Sequence, residues 1–203
     1  MNHLRLLREK RFSPLFLTQF LGAFNDNFLK NALVILVTFK SVTVMGLPPS
    51  QIVALAGGIF ILPFFLFSAL AGQIADKYEK GTVIRWIKGI EILIMLLAVF
   101  GFFTSQYGFL LLVLFLMGLH STFFGPLKYS ILPQHLESNE LLSGTALVEA
   151  GTFVAILLGT IAGGLLIAQP SGISIVCAGL LFIAVAGFFT SQGIPLAKPV
   201  APQ

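Results

Sequence analysis

Charge is what this sequence has least of. Of its 203 residues only 10% are Asp, Glu, Lys or Arg, against about 25% in ordinary soluble chains, while 57% are apolar. So little polar surface cannot cover a water-soluble globule, and no soluble catalytic domain fits. Cysteine is nearly missing too. Cys177 stands alone in an apolar run, which excludes an internal disulfide and a cysteine-based metal site. Neither a G-x-x-x-x-G-K-[ST] phosphate loop nor an H-E-x-x-H zinc signature occurs, so nothing supports an ATP-driven pump or a zinc hydrolase within the chain. His135 and Glu140 have the His-x4-acid spacing of glycerolipid acyltransferases, but with Glu in place of Asp and no surrounding domain. Serine and histidine lie in apolar runs without a nucleophile elbow. The expectation is a protein that is not an enzyme and carries no cofactor and no metal.

Long apolar runs are what the chain has instead. They fall at about 14–40, 50–72, 83–103, 108–130, 141–168 and 172–193, each long enough to cross a hydrocarbon core of about 30 Å as a helix. Short breaks with turn chemistry separate them, Gly46-Leu47-Pro48-Pro49-Ser50 and Gln169-Pro170-Ser171-Gly172 among them, so consecutive helices are antiparallel. The run after Arg11 is too long for a signal peptide and is interrupted by Asn25, Asp26, Asn27 and Lys30; it reads as a mature first span. The organisation expected is an N-terminal segment 1–13, a six-helix bundle 14–193 and a Pro-rich stretch 194–203 resembling the start of a linker or a truncated end.

The net charge of +4 does not point to nucleic acid, because the basic residues are dispersed at the ends of apolar runs. They act as topology signals. Arg5, Arg8, Lys10, Arg11, Lys77, Lys80, Arg85, Lys88, Lys128 and Lys198 fall on one side, and Lys40 on the other. The positive-inside rule makes the rich side cytoplasmic and puts both termini there.

Ionisable groups inside spans cost about 2.5 to 3.5 kcal/mol each at the helix centre on insertion scales, so each needs a partner or a wet cavity. The first span carries the densest set. At about 100° per residue, Asp26, Asn27, Lys30, Asn31 and Asn25 form a polar arc around most of the helix. Asp26 and Lys30, four apart, can pair on one face. Such an arc is either structural glue between helices or the lining of a cavity near mid-membrane, and its width favours the cavity. The fourth span has His120, Ser121 and Thr122 near its middle, then Gly125-Pro126, Lys128 and Tyr129. Pro126 frees a carbonyl, tolerated only beside protein or water. In the fifth span, Ala155, Gly159 and Gly163 form a small-residue stripe for close helix packing. Glu149 has no base within a turn and must find one elsewhere, with Lys128 or Lys30 as candidates. Glu91 has Lys88 three residues before it, a local pair.

The loop Gly72-Gln73-Ile74-Ala75-Asp76-Lys77-Tyr78-Glu79-Lys80-Gly81 resembles the G-x-x-x-D-[RK]-x-G-[RK]-[RK] loop of the major facilitator superfamily, departing from it at Glu79 and Gly81. In it Gly72 would permit close helix approach, Asp76 would accept from a facing helix N-terminus, and Lys77 and Lys80 would bridge to acids. Three further segments resemble, jointly and in order, the lysophospholipid transporter family of that superfamily: Phe24-Asn25-Asp26-Asn27-Phe28-Leu29-Lys30-Asn31, Phe124-Gly125-Pro126-Leu127-Lys128-Tyr129-Ser130-Ile131-Leu132-Pro133, and Leu147-Val148-Glu149-Ala150-Gly151. With Lys30 retained, the first looks closer to the form fused to an acyltransferase and an acyl-carrier-protein synthetase. This resemblance implies an all-α membrane fold in which six helices make the amino-terminal half of a twelve-helix transporter, with helices one and four of each half lining the cavity. It implies a bacterial inner membrane as the location, and a second six-helix half and a fused or associated acyltransferase as partners. The substrate implied is a lysophospholipid, chiefly lysophosphatidylethanolamine, moved inward for re-acylation. Site residues expected on this basis are Asp26, Asn27, Lys30, His120, Lys128, Tyr129 and Glu149, with Asp26 and Glu149 for the ammonium and Lys128 for the phosphate. Two alternatives stay open: a general solute or drug transporter of the same fold, suggested by Gly159-Thr160-Ile161-Ala162-Gly163-Gly164, and a non-transporting membrane anchor for an acyltransferase.

Overall fold

The computed structural model describes residues 3–44 and 46–199. A short 3-10 helix, His3–Arg8, leads into six long helices: α1 Ser13–Phe39, α2 Pro49–Lys77, α3 Lys80–Phe103, α4 Tyr107–His135, α5 Leu141–Ile167 and α6 Gly172–Gln192. All six are long and apolar enough to span a membrane; even the shortest, 21 residues, rises about 31 Å at 1.5 Å per residue. They overlie the six apolar runs, and α2 and α4 continue several residues past them at the basic end of the bundle. Proline at the first turns of α1 and α2 costs no hydrogen bond there. Further along, α4 runs unbroken through Pro126 and Pro133.

Helix α1 sits at the centre, packed against α5, α6, α2 and α4, while α2 lies along α4 and α3 fits between α4 and α6. The most extensive contact is between α1 and α5. Gly159 and Gly163 lie directly on the α1 backbone: a Cβ on Gly163 would sit 2.5 Å from the Phe28 carbonyl oxygen. This is the packing the small-residue stripe predicts, and Ala155 is fully buried in the same seam.

Two apolar clusters fill the bundle. One joins Phe28, Leu33, Met95, Leu114 and Leu180 towards one end; the other joins Phe12, Leu15, Ile84, Leu127 and Leu132 towards the basic end. Between them, close to the midpoints of α1, α3 and α4, lies a buried polar belt of Asn25, Asp26, Asn27, Glu91 and His120.

The basic end is clasped by side chains. Arg11, just before α1, donates both terminal nitrogens to Glu140 at the start of α5, each at 2.8 Å, and one of them also to the His135 carbonyl ending α4 at 3.1 Å. Its guanidinium is held even above its usual range, chiefly by the hydrogen bonds it donates to Glu140 and to Glu9. Glu79 caps α3, accepting from Gly81 N at 2.9 Å and Thr82 N at 2.6 Å, and it also accepts from Ala197 N at 2.8 Å. The stretch after α6, expected as a linker, is therefore docked as far as it is described. Ile194 and Ala197 are buried, and the Lys198 carbonyl accepts from Lys80 Nζ and from Gln134 Nε2, both at 3.0 Å. Residues 200–203 lie outside the described residues.

Four residues of the α2–α3 loop do not make their expected contacts among the described residues. Gly72 faces open space, with nothing within 4 Å of where a Cβ on it would sit, so it makes no close approach in this bundle. Lys80 does not bridge to an acid; it is buried, and its ammonium goes to a main-chain carbonyl of the docked tail. Lys77 is exposed and lies 5.7 Å from the Tyr78 ring centroid instead of against an acid. Asp76 is exposed, and its carboxylate accepts from no helix N-terminus among the described residues. The departure from the loop pattern at Glu79 has a local reason: this side chain supplies both the helix cap and the anchor for the tail.

Burial alone would raise the Glu79 carboxyl, but the hydrogen bonds from Ala197, Thr82 and Gly81 outweigh it and hold it below the usual carboxylate value of 4.5. A carboxyl depressed on folding stabilises above its unfolded value, and that contribution is lost as pH falls through the folded one. Acidification below about 4.5 is expected to release the tail, measured as faster proteolysis after residue 193. Glu79→Gln is expected to lose that pH dependence, and Glu79→Ala to lower stability by about 1 kcal/mol as a lost cap.

Candidate functional site

A cavity of about 210 Å³ opens beside the polar belt, walled by α1, α2, α4 and α5 with one side chain from α3. Asp26 and Asn27 border it from α1, His120, Ser121, Gly125 and Lys128 from α4, Thr152 and Ile156 from α5, and Phe60 and Phe64 from α2. Helix geometry explains the gathering. Ser121 and Gly125 share one face of α4, and Lys128 follows three residues on, about 10 Å towards the basic end from Ser121.

Asp26 accepts from Ser121 Oγ at 2.6 Å through Oδ2, whereas its Oδ1 is buried without a hydrogen-bond partner. An ionised oxygen left unpaired in a low-dielectric interior is costly. It is also free to receive a cationic group. Asn27 turns its amide back to the Ala23 carbonyl at 2.9 Å while still bordering the cavity. Beneath it, Asn31 bonds to Thr160 of α5 at 3.1 Å, and Gln19 accepts from Thr152 at 2.8 Å.

Four of the seven residues expected at the site, Asp26, Asn27, His120 and Lys128, border this one cavity. The other three do not. Lys30 does not form an ion pair with Asp26, whose carboxylate is taken by α4; the lysine lies 5.2 Å from the Phe60 ring centroid, facing α2. Glu149 finds neither lysine as its hydrogen-bond partner: the hydroxyl of Tyr129 donates to it at the rim, where Tyr129 is 40% exposed. Lys128 lies 4.8 Å from the Tyr129 ring centroid, so this pair adjoins the cavity through the lysine.

The sequence reading missed Ser121 as the partner of Asp26, and missed Gln19 with Thr152. Gln19 carried a signal, being an amide in an apolar run. The Lys88–Glu91 pair forms as expected but is not merely local. Glu91 Oε1 also accepts from Asn25 Nδ2 at 2.9 Å, and His120 Nε2 lies 3.4 Å from Glu91 Oε2. Behind His120, on the far side of α4, runs a wholly different space of about 500 Å³, lined by Ile87, Ile90, Ile94, Leu116 and Phe123.

A profile of the Major Facilitator Superfamily matches residues 15–202. The chain belongs to this superfamily. It is 32% identical over 160 residues to the lysophospholipid transporter LplT of Escherichia fergusonii, an overlap of 79% of this chain and 37% of that protein. The LplT of Citrobacter koseri is 34% identical over 148 residues, 73% of this chain and 34% of its own. The chain thus spans little more than a third of these curated relatives. It is an all-α, multi-pass membrane protein.

Cysteine accessibility tests the cavity directly. With Cys177 buried, a cysteine at Lys128 is expected to react with a hydrophilic thiol reagent, and a cysteine at Glu91 to react at least tenfold more slowly. Equal rates would remove the distinction between the cavity wall and the belt behind it.

Proposed function

We propose that this chain is the amino-terminal six-helix half of a transporter that moves lysophospholipid, chiefly lysophosphatidylethanolamine, across a bacterial inner membrane for re-acylation. The observation that carries the proposal is the unpaired carboxylate oxygen of Asp26 in the same cavity as the ammonium of Lys128. A headgroup with an ammonium and a phosphate presents the complementary pair of charges, and charge-assisted hydrogen bonds are roughly twice as strong as neutral ones. Glu149 and Tyr129 stand at the rim as a second acidic station. Sequence similarity to proteins named lysophospholipid transporters supports the same cargo.

Phe65 and Leu66 of α2 and Phe153 and Leu157 of α5 are exposed, next in sequence to the cavity-wall residues Phe64 and Ile156 or close to them. A second six-helix half covers this face in the proposed assembly, with the site near the bilayer midplane between the halves. The basic end faces the cytoplasm and holds both termini. The acyl chain stays in lipid through a lateral gap at the seam between this face and the second half.

Uptake of labelled lysophosphatidylethanolamine into membrane vesicles tests this reading. Asp26→Asn and Lys128→Ala are each expected to lower uptake at least tenfold, and excess lysolipid with the same headgroup is expected to compete while unrelated solutes do not. Unchanged uptake in both variants would leave an anchor for an acyltransferase as the better account.

A further inference from the structure

Lys88 occupies an unusual place. It belongs to α3, which otherwise stays away from the cavity, yet its side chain borders the cavity and is only 1% exposed. Two helices make room for it. A Cβ on Gly187 of α6 would sit 2.9 Å from Lys88 Cε, and one on Gly22 of α1 would sit 3.3 Å from Nζ. A lysine threaded between two glycines to the wall of a polar cavity is more than a space filler.

Its charge does not reach the cavity unopposed. Glu91, fully buried and outside the cavity wall, takes the Lys88 ammonium, and Asn25 of α1 donates to the same carboxylate, with the His120 ring of α4 3.4 Å away. Three ionic side chains therefore border the cavity, but one is masked from behind. What a ligand meets is Asp26 and Lys128, a balanced pair.

We infer that Glu91 determines the headgroup charge this cavity accepts, by masking Lys88, so that the site takes a zwitterion in preference to an anion. The inference rests on the headgroup reading above and adds the residue that sets its selectivity. Glu91 touches no ligand in this account; it is a positioning residue acting through Lys88. Removing its charge leaves two cations against one carboxylate and invites an anionic phosphodiester headgroup. Removing Lys88 alone does the opposite. Removing both restores the balance and strands no buried charge.

The test is equilibrium binding of radiolabelled lysophosphatidylethanolamine and lysophosphatidylglycerol to the full chain in nanodiscs. Wild type is expected to prefer the zwitterion. Glu91→Gln should move the affinity ratio about tenfold or more towards the anion, Lys88→Gln should move it the other way, and the double variant should return it close to the wild-type ratio. Should Glu91→Gln fail to fold, Glu91→Asp, which withdraws the carboxylate by one methylene, is expected to give a smaller shift of the same sign. A structural role would weaken both ligands together, so parallel losses, or a ratio unmoved in every variant that folds, overturn the inference alone. A wild-type chain that binds neither lysolipid overturns the headgroup reading and this inference with it.

Discussion

Inside a bilayer there is no water to take up a stray polar group, so every amide and charge on a spanning helix must be satisfied by another helix or by a wet cavity. This constraint places α1 at the centre. Its polar residues point in several directions, and each is met from a different quarter: Asn25 by Glu91 of α3, Asp26 by Ser121 of α4, and Asn31 by Thr160 of α5. A peripheral helix could satisfy one such face. Only a central one can meet all of these neighbours, and one oxygen left without a protein partner, Asp26 Oδ1, belongs to a residue that borders the cavity.

The energies are unequal. Single interhelical hydrogen bonds in membranes average about 0.6 kcal/mol, too little to fix helix order one by one. Breaking a buried ion pair by removing one partner costs about 3 to 5 kcal/mol, which makes Lys88 and Glu91 the most sensitive pair in the belt. Close packing supplies the remainder. The small residues on α5 bring its backbone against α1, and that proximity lets side chains as short as Thr152 and Thr160 reach their partners.

The number and place of the helices were legible because bilayer thickness imposes a run length that composition displays directly. The cavity residues Asp26, Asn27, His120 and Lys128 were legible for a related reason: polar groups are expensive in a span and stand out. Partner choice was not. A helical wheel gives the direction of Asp26 and Lys30 but not the neighbour they face, and α4 offered Asp26 a hydroxyl at closer reach than its own helix offered an ammonium. The same limit applied to Glu149, whose candidate partners were sought among lysines although the residue beside Lys128 supplied the contact. The docked tail was hidden for another reason. Its bonds are made mostly by main-chain groups of a Pro-rich stretch, and main-chain groups carry no sequence signal.

The clasp at the basic end bears on how the cavity can change shape. Arg11 ties the start of α1 to Glu140 at the start of α5 and to the last carbonyl of α4, and these three helices supply all of the cavity wall except Phe60, Phe64 and Lys88. The tail adds a second tie, joining the start of α3 through Glu79 and Lys80 to the end of α4 through Gln134 and His135. Helices joined at one end by bidentate charge-assisted bonds and at mid-depth by the polar belt cannot shift singly without breaking several partners at once. The α1 and α4 sides of the cavity are therefore tied to each other at both levels. In the proposed assembly, opening to one side or the other comes from rocking of this bundle against the second half, the motion that inverted-repeat transporters use around a fixed midplane site.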